Sequence, residues 1–184
     1  MKRNATTGLI TLICGFYLLE LLNPALSEKL FLVNRAILSD GMVHGVGQGE
    51  WYRIFTVALV HGGFTHLAFN MWALFVLGNP IEQAFGRTHF LTIFLVSLVT
   101  GSAASLALAA QNQVSIGASG AIFGLFGAFA VAGRKIGADV RSILVLIGIN
   151  FALDFIIPHI DWHAHLGGLI GGAISATFLL RKRV

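Results

Sequence analysis

Charge is scarce in this chain. Only 11% of its 184 residues are Asp, Glu, Lys or Arg and 56% are apolar, whereas an ordinary soluble domain carries roughly a quarter charged residues. That excludes a fold solvated by water on all sides, because the apolar segments are too long and continuous to be wrapped by polar surface. Cysteine is scarcer still. Cys14 stands alone in an apolar run, so no intrachain disulfide holds the fold, and it reads as an inert core or lipid-facing thiol. Proline occurs three times, at Pro24, Pro80 and Pro158, and each is read as a break between apolar runs. The net charge of +4 is spread over small basic clusters between those runs rather than gathered in one stripe. Nucleic acid is therefore not the expected partner, and the clusters read as signals of membrane topology.

What is present is a series of charge-free runs. The chain reads as a single all-α membrane domain over 1–184, a bundle of six helices spanning about 6–22, 56–77, 90–110, 117–133, 142–157 and 162–180. Glu20 and Asn23-Pro24 end the first run, Gly78-Asn79-Pro80 the second, and Gln111-Asn112-Gln113 forms the turn between the third and fourth. The fifth contains Asp154 and closes at Pro158; the sixth ends at Arg181-Lys182-Arg183. Residues 24 to 52 mix charge with Leu30-Phe31-Leu32-Val33, which predicts a long, partly helical connection embedded at the interface. Met1-Lys2-Arg3 before a short apolar run and Ala25-Leu26-Ser27 has some features of a cleaved secretory signal, but Glu20 and Leu21-Leu22 fit that pattern poorly. With six spans and both termini cytoplasmic, Lys2, Arg3, Arg87, Arg134, Lys135, Arg141, Arg181, Lys182 and Arg183 lie inside and Lys29, Arg35 and Arg53 outside. That asymmetry fits the rule for basic loops.

Strongly polar side chains inside spans are costly and nominate a site. The candidates are His61, His66, Asn70, Ser119, Asp154 and His165. His66 and Asn70 are four apart and share a helix face, as either an interhelical packing pair or part of a site. Gly117-Ala118-Ser119-Gly120 falls where the fourth helix begins, and unpaired N–H groups there suit an oxyanion formed by attack of Ser119 on a carbonyl. The alternative is a small-residue packing face, since Gly120, Gly124 and Gly127 follow at helical spacing. On the sixth span His165, Gly168 and Gly172 form one stripe, so two small faces would bring Ser119 and an imidazole base into reach. Asp154 lies on another helix and is expected at a helix end or facing solvent rather than orienting the base.

Other proteolytic chemistries lack their residues. No glutamate stands between His61 and His66, their spacing does not match a zinc motif, and His163 and His165 point apart on a helix. No second acid joins Asp154 in an aspartyl motif.

Taken together, Trp51-Tyr52-Arg53-Ile54-Phe55-Thr56, His61 with His66-Leu67-Ala68-Phe69-Asn70, Gly78 with Glu82 through Gly86, Gly117-Ala118-Ser119-Gly120 and Ala164-His165-Leu166-Gly167-Gly168-Leu169 resemble, in order, the motifs of the rhomboid family of intramembrane serine proteases. The resemblance runs from about Trp51 to the end of the sixth span. It implies a Ser119–His165 dyad, with an oxyanion site made by the Ser119 N–H and the side chains of His66 and Asn70. It also implies that Phe123 packs on the base imidazole in place of an orienting acid, that Arg53 and Glu82 are structural, and that Gly168 and Gly172 allow close approach to the fourth helix. His163 has no assigned role. The implied substrate is another transmembrane protein, reached through a gate at the fifth helix and the loop through Pro158 and Asp161, with no cofactor required.

Two other readings compete. One is a noncatalytic rhomboid-like binder of membrane proteins, which loss of either dyad residue would have signalled. The other is a small transporter or channel using the same polar residues as a pathway, whose paired broken helices in repeated halves are not evident. A bacterial plasma membrane is the expected location.

Overall fold

Eight α-helices, six of them long, make up most of the computed structural model, which describes residues 4–137, 139–157 and 160–180. Pro158 and the terminal residues Lys2, Arg3, Arg181, Lys182 and Arg183, to which the sequence reading gave roles, lie outside the described residues.

Helix α1 (Ala5–Leu22) begins at Asn4, whose side chain accepts from the Thr7 N–H at 2.8 Å. The free N–H groups of its first turn then meet an acid from far along the chain. Glu82 accepts from the N–H groups of Ala5 and Thr6 at 2.6 and 2.8 Å and from Thr6 Oγ1 at 2.8 Å. A carboxylate at the positive end of a helix satisfies orphan donors and opposes the dipole together.

Glu82 reaches that position because α4 (Phe64–Phe85) runs further along the chain than the sequence suggests. The expected span over 56–77 is displaced. Thr56 lies in the short α3 (Arg53–Thr56), which continues as a 3₁₀ turn over Val57–Leu59, and the chain bends by 100° before α4. Gly78-Asn79-Pro80 does not stop the helix. A proline in a helix interior forfeits one backbone bond, but tertiary contacts offset it here. Gly78 packs so closely on α1 and α5 that an added Cβ would lie 2.9 Å from Thr6 and 3.0 Å from Phe90. Asn79 bonds both Asn4, at 2.7 Å, and the Phe75 carbonyl, at 2.9 Å.

The long connection after α1 is partly helical, as its composition suggested. It contains α2 (Ala25–Leu30), a two-residue hairpin of β1 (Ala36–Ile37) and β2 (Val43–His44), and a 3₁₀ turn over Val46–Gln48. Arg53 is its anchor, only 1% exposed, donating to the carbonyls of Glu28 and Phe31 at 2.9 and 2.7 Å and to Glu50 at 2.6 Å.

Helices α5 (Arg87–Leu108), α6 (Ser119–Ala132), α7 (Val140–Ile156) and α8 (Trp162–Leu180) complete the bundle. Every residue of α6 from Gly120 to Phe129 is buried, as expected for a helix apolar on all sides. Helix α8 packs against both α5 and α6, which also touch each other. Large apolar side chains stand exposed around the periphery, among them Leu22, Trp72, Leu108, Ile156 and Phe178, a surface suited to a hydrocarbon solvent. Among the described residues α1 and α5 are each long and apolar enough to cross a membrane, and the bent pair around residues 60–63 would make a third.

Two outcomes are expected. Glu82→Ala leaves the α1 terminus unsatisfied and should cost about 1–3 kcal/mol, read as a lowered unfolding temperature in detergent. In the hairpin, His44 bonds Glu50 at 2.7 Å and Asp40 at 2.9 Å, and these two carboxylates raise its pKa. Burial works to raise Glu50, but hydrogen bonds from His44, Arg53 and the Gly45 N–H hold it below its ordinary range. The His44 contribution is complete below about pH 6.5 and is lost as pH rises through its raised value; that of Glu50 is lost only as pH falls through its lowered one. Amide exchange in residues 36–44 should therefore accelerate toward alkaline pH beyond the intrinsic chemical rate. His44→Gln should remove that excess.

Candidate active site

The segment leading into α6 is pinned before the helix starts. Ser115 pairs with Leu32 through two backbone bonds of 2.8 and 3.0 Å, and the Gly117 N–H donates to the Val57 carbonyl at 2.9 Å. Gly117 has a φ of 103°, a conformation that favours glycine. Its Cα also leaves no room for a side chain, because a Cβ there would sit 2.8 and 2.9 Å from Cε1 and Nε2 of His66. Ser119 is then the first residue of α6, where its N–H has no intrahelical acceptor.

Opposite it, α8 starts at Asp161, whose side chain accepts from the Ala164 N–H at 3.2 Å in the manner of an N-cap. His165 follows one turn in. The two helices approach through glycine: a Cβ on Gly168 would overlap the Gly120 carbonyl, and one on Gly172 the Gly124 carbonyl. This is the stripe expected from the sequence. A second stripe was not anticipated, in which Gly167 and Gly171 seat α8 on Thr100 and Ala104 of α5.

The result is a hydrogen bond of 2.8 Å between Ser119 Oγ and His165 Nε2, across 46 residues of sequence. Phe123, one turn beyond Ser119, stacks on the imidazole with ring centroids 4.0 Å apart and planes 9° from parallel. The expected aromatic contact is therefore present. It does not stand in for an acid, however. Asp154 Oδ2 lies 2.7 Å from His165 Nδ1, with both side chains buried. Asp154 stands in the last turn of α7, at a helix end as expected, but it faces inward rather than solvent: Ile143, Ile147, the half-buried Phe151 and Asp154 recur on the one face of α7 that packs inward. That periodicity was the available sequence signal.

His66 and Asn70 occupy the first two turns of α4. The Gly62 N–H points to His66 Nδ1 at 3.4 Å, which leaves Nε2 as the ring's donor. Nε2 faces Gly117, and a point at the missing Gly117 Cβ is 2.9 Å from it and 3.8 Å from Ser119 Oγ. Asn70 is buried and spends one amide N–H on the His66 carbonyl at 2.9 Å, leaving the other free to donate. His61 stands behind, its ring centroid 5.1 Å from that of His66. His163 stacks on Trp162 and lies 3.4 Å from Asp161.

The family model for the Rhomboid domain matches residues 48–182. This chain belongs to the rhomboid family. Rhomboid protease GluP of Bacillus subtilis is 42% identical over 139 residues, which cover 73% of this chain and 27% of GluP. YdcA of the same organism, provisionally named a rhomboid protease, is 37% identical over 76% of this chain and 72% of its own length. RHOMBOID-like protein 1 of Arabidopsis thaliana is 36% identical over 88% of this chain and 43% of that protein. The chain thus spans about a quarter of GluP and under half of the plant relative. Membership and the apolar helices make it an integral membrane protein of a protease family.

In this rhomboid chain Gly117→Ala should force the His66 ring away and strain the backbone, at a cost of about 1–3 kcal/mol. The expected readout is a lower unfolding temperature together with a shifted His66 ring signal by ¹⁵N NMR.

Proposed function

We propose that this chain is a serine endopeptidase that cleaves transmembrane protein substrates within or near their membrane-spanning segment, using Ser119 as nucleophile and His165 as base. The observation that carries the reading is the 2.8 Å contact between Ser119 Oγ and His165 Nε2 at the start of a buried helix. A serine hydroxyl becomes a nucleophile when such a base accepts its proton. The name given to GluP supports extending protease activity to this chain.

The chemistry follows from the atoms in place. Ser119 Oγ bonds to the scissile carbonyl carbon as its proton passes to His165 Nε2. The carbonyl oxygen becomes an oxyanion, received by the Ser119 N–H, His66 Nε2–H and the free Asn70 N–H. As the tetrahedral species collapses, the C–N bond breaks and His165 returns the proton to the leaving amine. Water then attacks the acyl-serine, giving its proton to His165, and the collapse releases the carboxylic acid and restores Ser119.

Depth in the membrane follows from helix length. Helix α6 has 14 residues, about 21 Å of rise, and runs from Ser119 to the cationic Arg134-Lys135 turn. With that turn at one boundary of a hydrocarbon layer about 30 Å thick, and α6 along the normal, Ser119 lies about 9 Å inside the opposite boundary. Six crossings with cytoplasmic termini, in a bacterial plasma membrane, complete the reading, supported by the distribution of basic residues.

Detergent-purified protein treated with a fluorescent fluorophosphonate should be labelled. Ser119→Ala should lose labelling and peptide cleavage entirely while its unfolding temperature stays within the range of a surface substitution, about 0.5 kcal/mol. Cleavage retained by Ser119→Ala would sink the mechanism, and a folded but unlabelled parent would favour a noncatalytic binder of membrane proteins.

A further inference from the structure

The dyad reading leaves a buried acid unused. Asp154 is held 2.7 Å from the imidazole nitrogen opposite Ser119, and both partners are sealed from solvent, with 8% of the His165 side chain and 3% of that of Asp154 exposed. A charged side chain in such a place is costly unless a specific partner compensates it. His165 is that partner. Of the other polar side chains of the same segment, Ser142 bonds to Asp139, Asn150 bonds to the Leu146 carbonyl and Arg141 is exposed, so Asp154 is the polar group α7 sends inward.

Stacking and hydrogen bonding do different things to an imidazole. Phe123 lies parallel to the ring and fixes its plane, but a π-face does not distinguish which ring nitrogen carries the proton. A carboxylate is an acceptor only, so Nδ1 must be the protonated nitrogen when it faces Asp154, and Nε2 is then bare toward the Ser119 hydroxyl. A base with its proton on Nε2 cannot take another from serine. The carboxylate also lies next to the positive charge that His165 acquires during attack.

We propose that Asp154 is a positioning residue for the base: it selects the His165 tautomer with a free Nε2, so that the centre works as an Asp154–His165–Ser119 relay of contacts rather than an isolated pair. Asp154 touches neither substrate nor reacting atoms and acts through His165. The inference rests on Ser119 and His165 being the reacting pair.

The test uses the full chain in detergent. Parent, Asp154→Asn, Asp154→Ala and Ser119→Ala are titrated with the fluorophosphonate to separate maximal labelling rate from half-saturating concentration. In parallel, ¹⁵N-histidine-labelled parent, with His165→Asn to assign the signal, reports the tautomer. His165 is expected to be protonated on Nδ1. Both Asp154 variants should lose on the order of 10- to 100-fold in maximal rate at unchanged half-saturation, with part of the His165 population moved to the Nε2–H form. A parent protonated on Nε2, or an Asp154→Asn protein that melts with the parent and labels at its maximal rate, would overturn the role while leaving the dyad intact. A folded parent that is not labelled overturns the dyad and the role with it. Should both Asp154 variants fail to fold, the parent tautomer alone decides.

Discussion

The closeness of α6 and α8 is the constraint on which the rest depends. In hydrocarbon no hydrophobic effect presses two helices together, so contact must come from packing that admits the backbones to one another. Gly168 and Gly172 rest on the carbonyls of Gly120 and Gly124, and this fixes both separation and register. Register matters as much as distance here, because Ser119 and His165 meet one turn above that contact. The second stripe, Gly167 and Gly171 against α5, keeps α8 from rolling about the first. An imidazole on a helix free to rotate by one residue would swing through about 100°, far outside reach of the hydroxyl.

Charge is handled with similar economy. Glu82, Arg53 and Glu20 are buried charged side chains that tie together segments apart in sequence. Glu82 caps α1, Arg53 gathers two carbonyls from the first loop, and Glu20 accepts from Ser27 Oγ at 2.7 Å and from the His61 N–H at 3.3 Å. The Arg53 bond to the Phe31 carbonyl fixes the segment whose Leu32 pairs with Ser115, two residues before Gly117. In a low-dielectric surrounding a group of this kind is costly alone and strongly attached when paired, which makes it effective in fixing one arrangement of helices.

This division explains what could be read in advance. Five of the six long helices fall where charge-free runs placed them, and Ser119, His165 and the first glycine stripe were legible because 3.6-residue periodicity or position at a helix start carries them, whereas Phe123 was legible only through the family resemblance. The path through Gly78-Asn79-Pro80 was not. Local punctuation there is overridden by contacts with Thr6, Asn4 and Phe90, more than 70 residues away for the first two. The second stripe was hidden because Gly167 and Gly171 interleave with the residues of the first. Asp154 stands near a helix end as expected, and its inward direction follows from its being the fourth position of the stripe begun by Ile143.

Helix α7 differs from its neighbours in how little holds it. Ile143, Ile147 and Asp154 are its buried residues, with Phe151 set edge-on to Phe123 at 5.1 Å. The stack on His165 comes from α6, an interior helix, and is insensitive to small movements of the periphery. The carboxylate comes from a long helix with only three buried residues. Lateral displacement of α7 would therefore leave the base in its plane but release its Nδ1 contact, whereas return of α7 would restore it. The two supports of the imidazole, one from the core and one from the margin, thus divide orientation from tautomer, and only the second depends on where α7 stands.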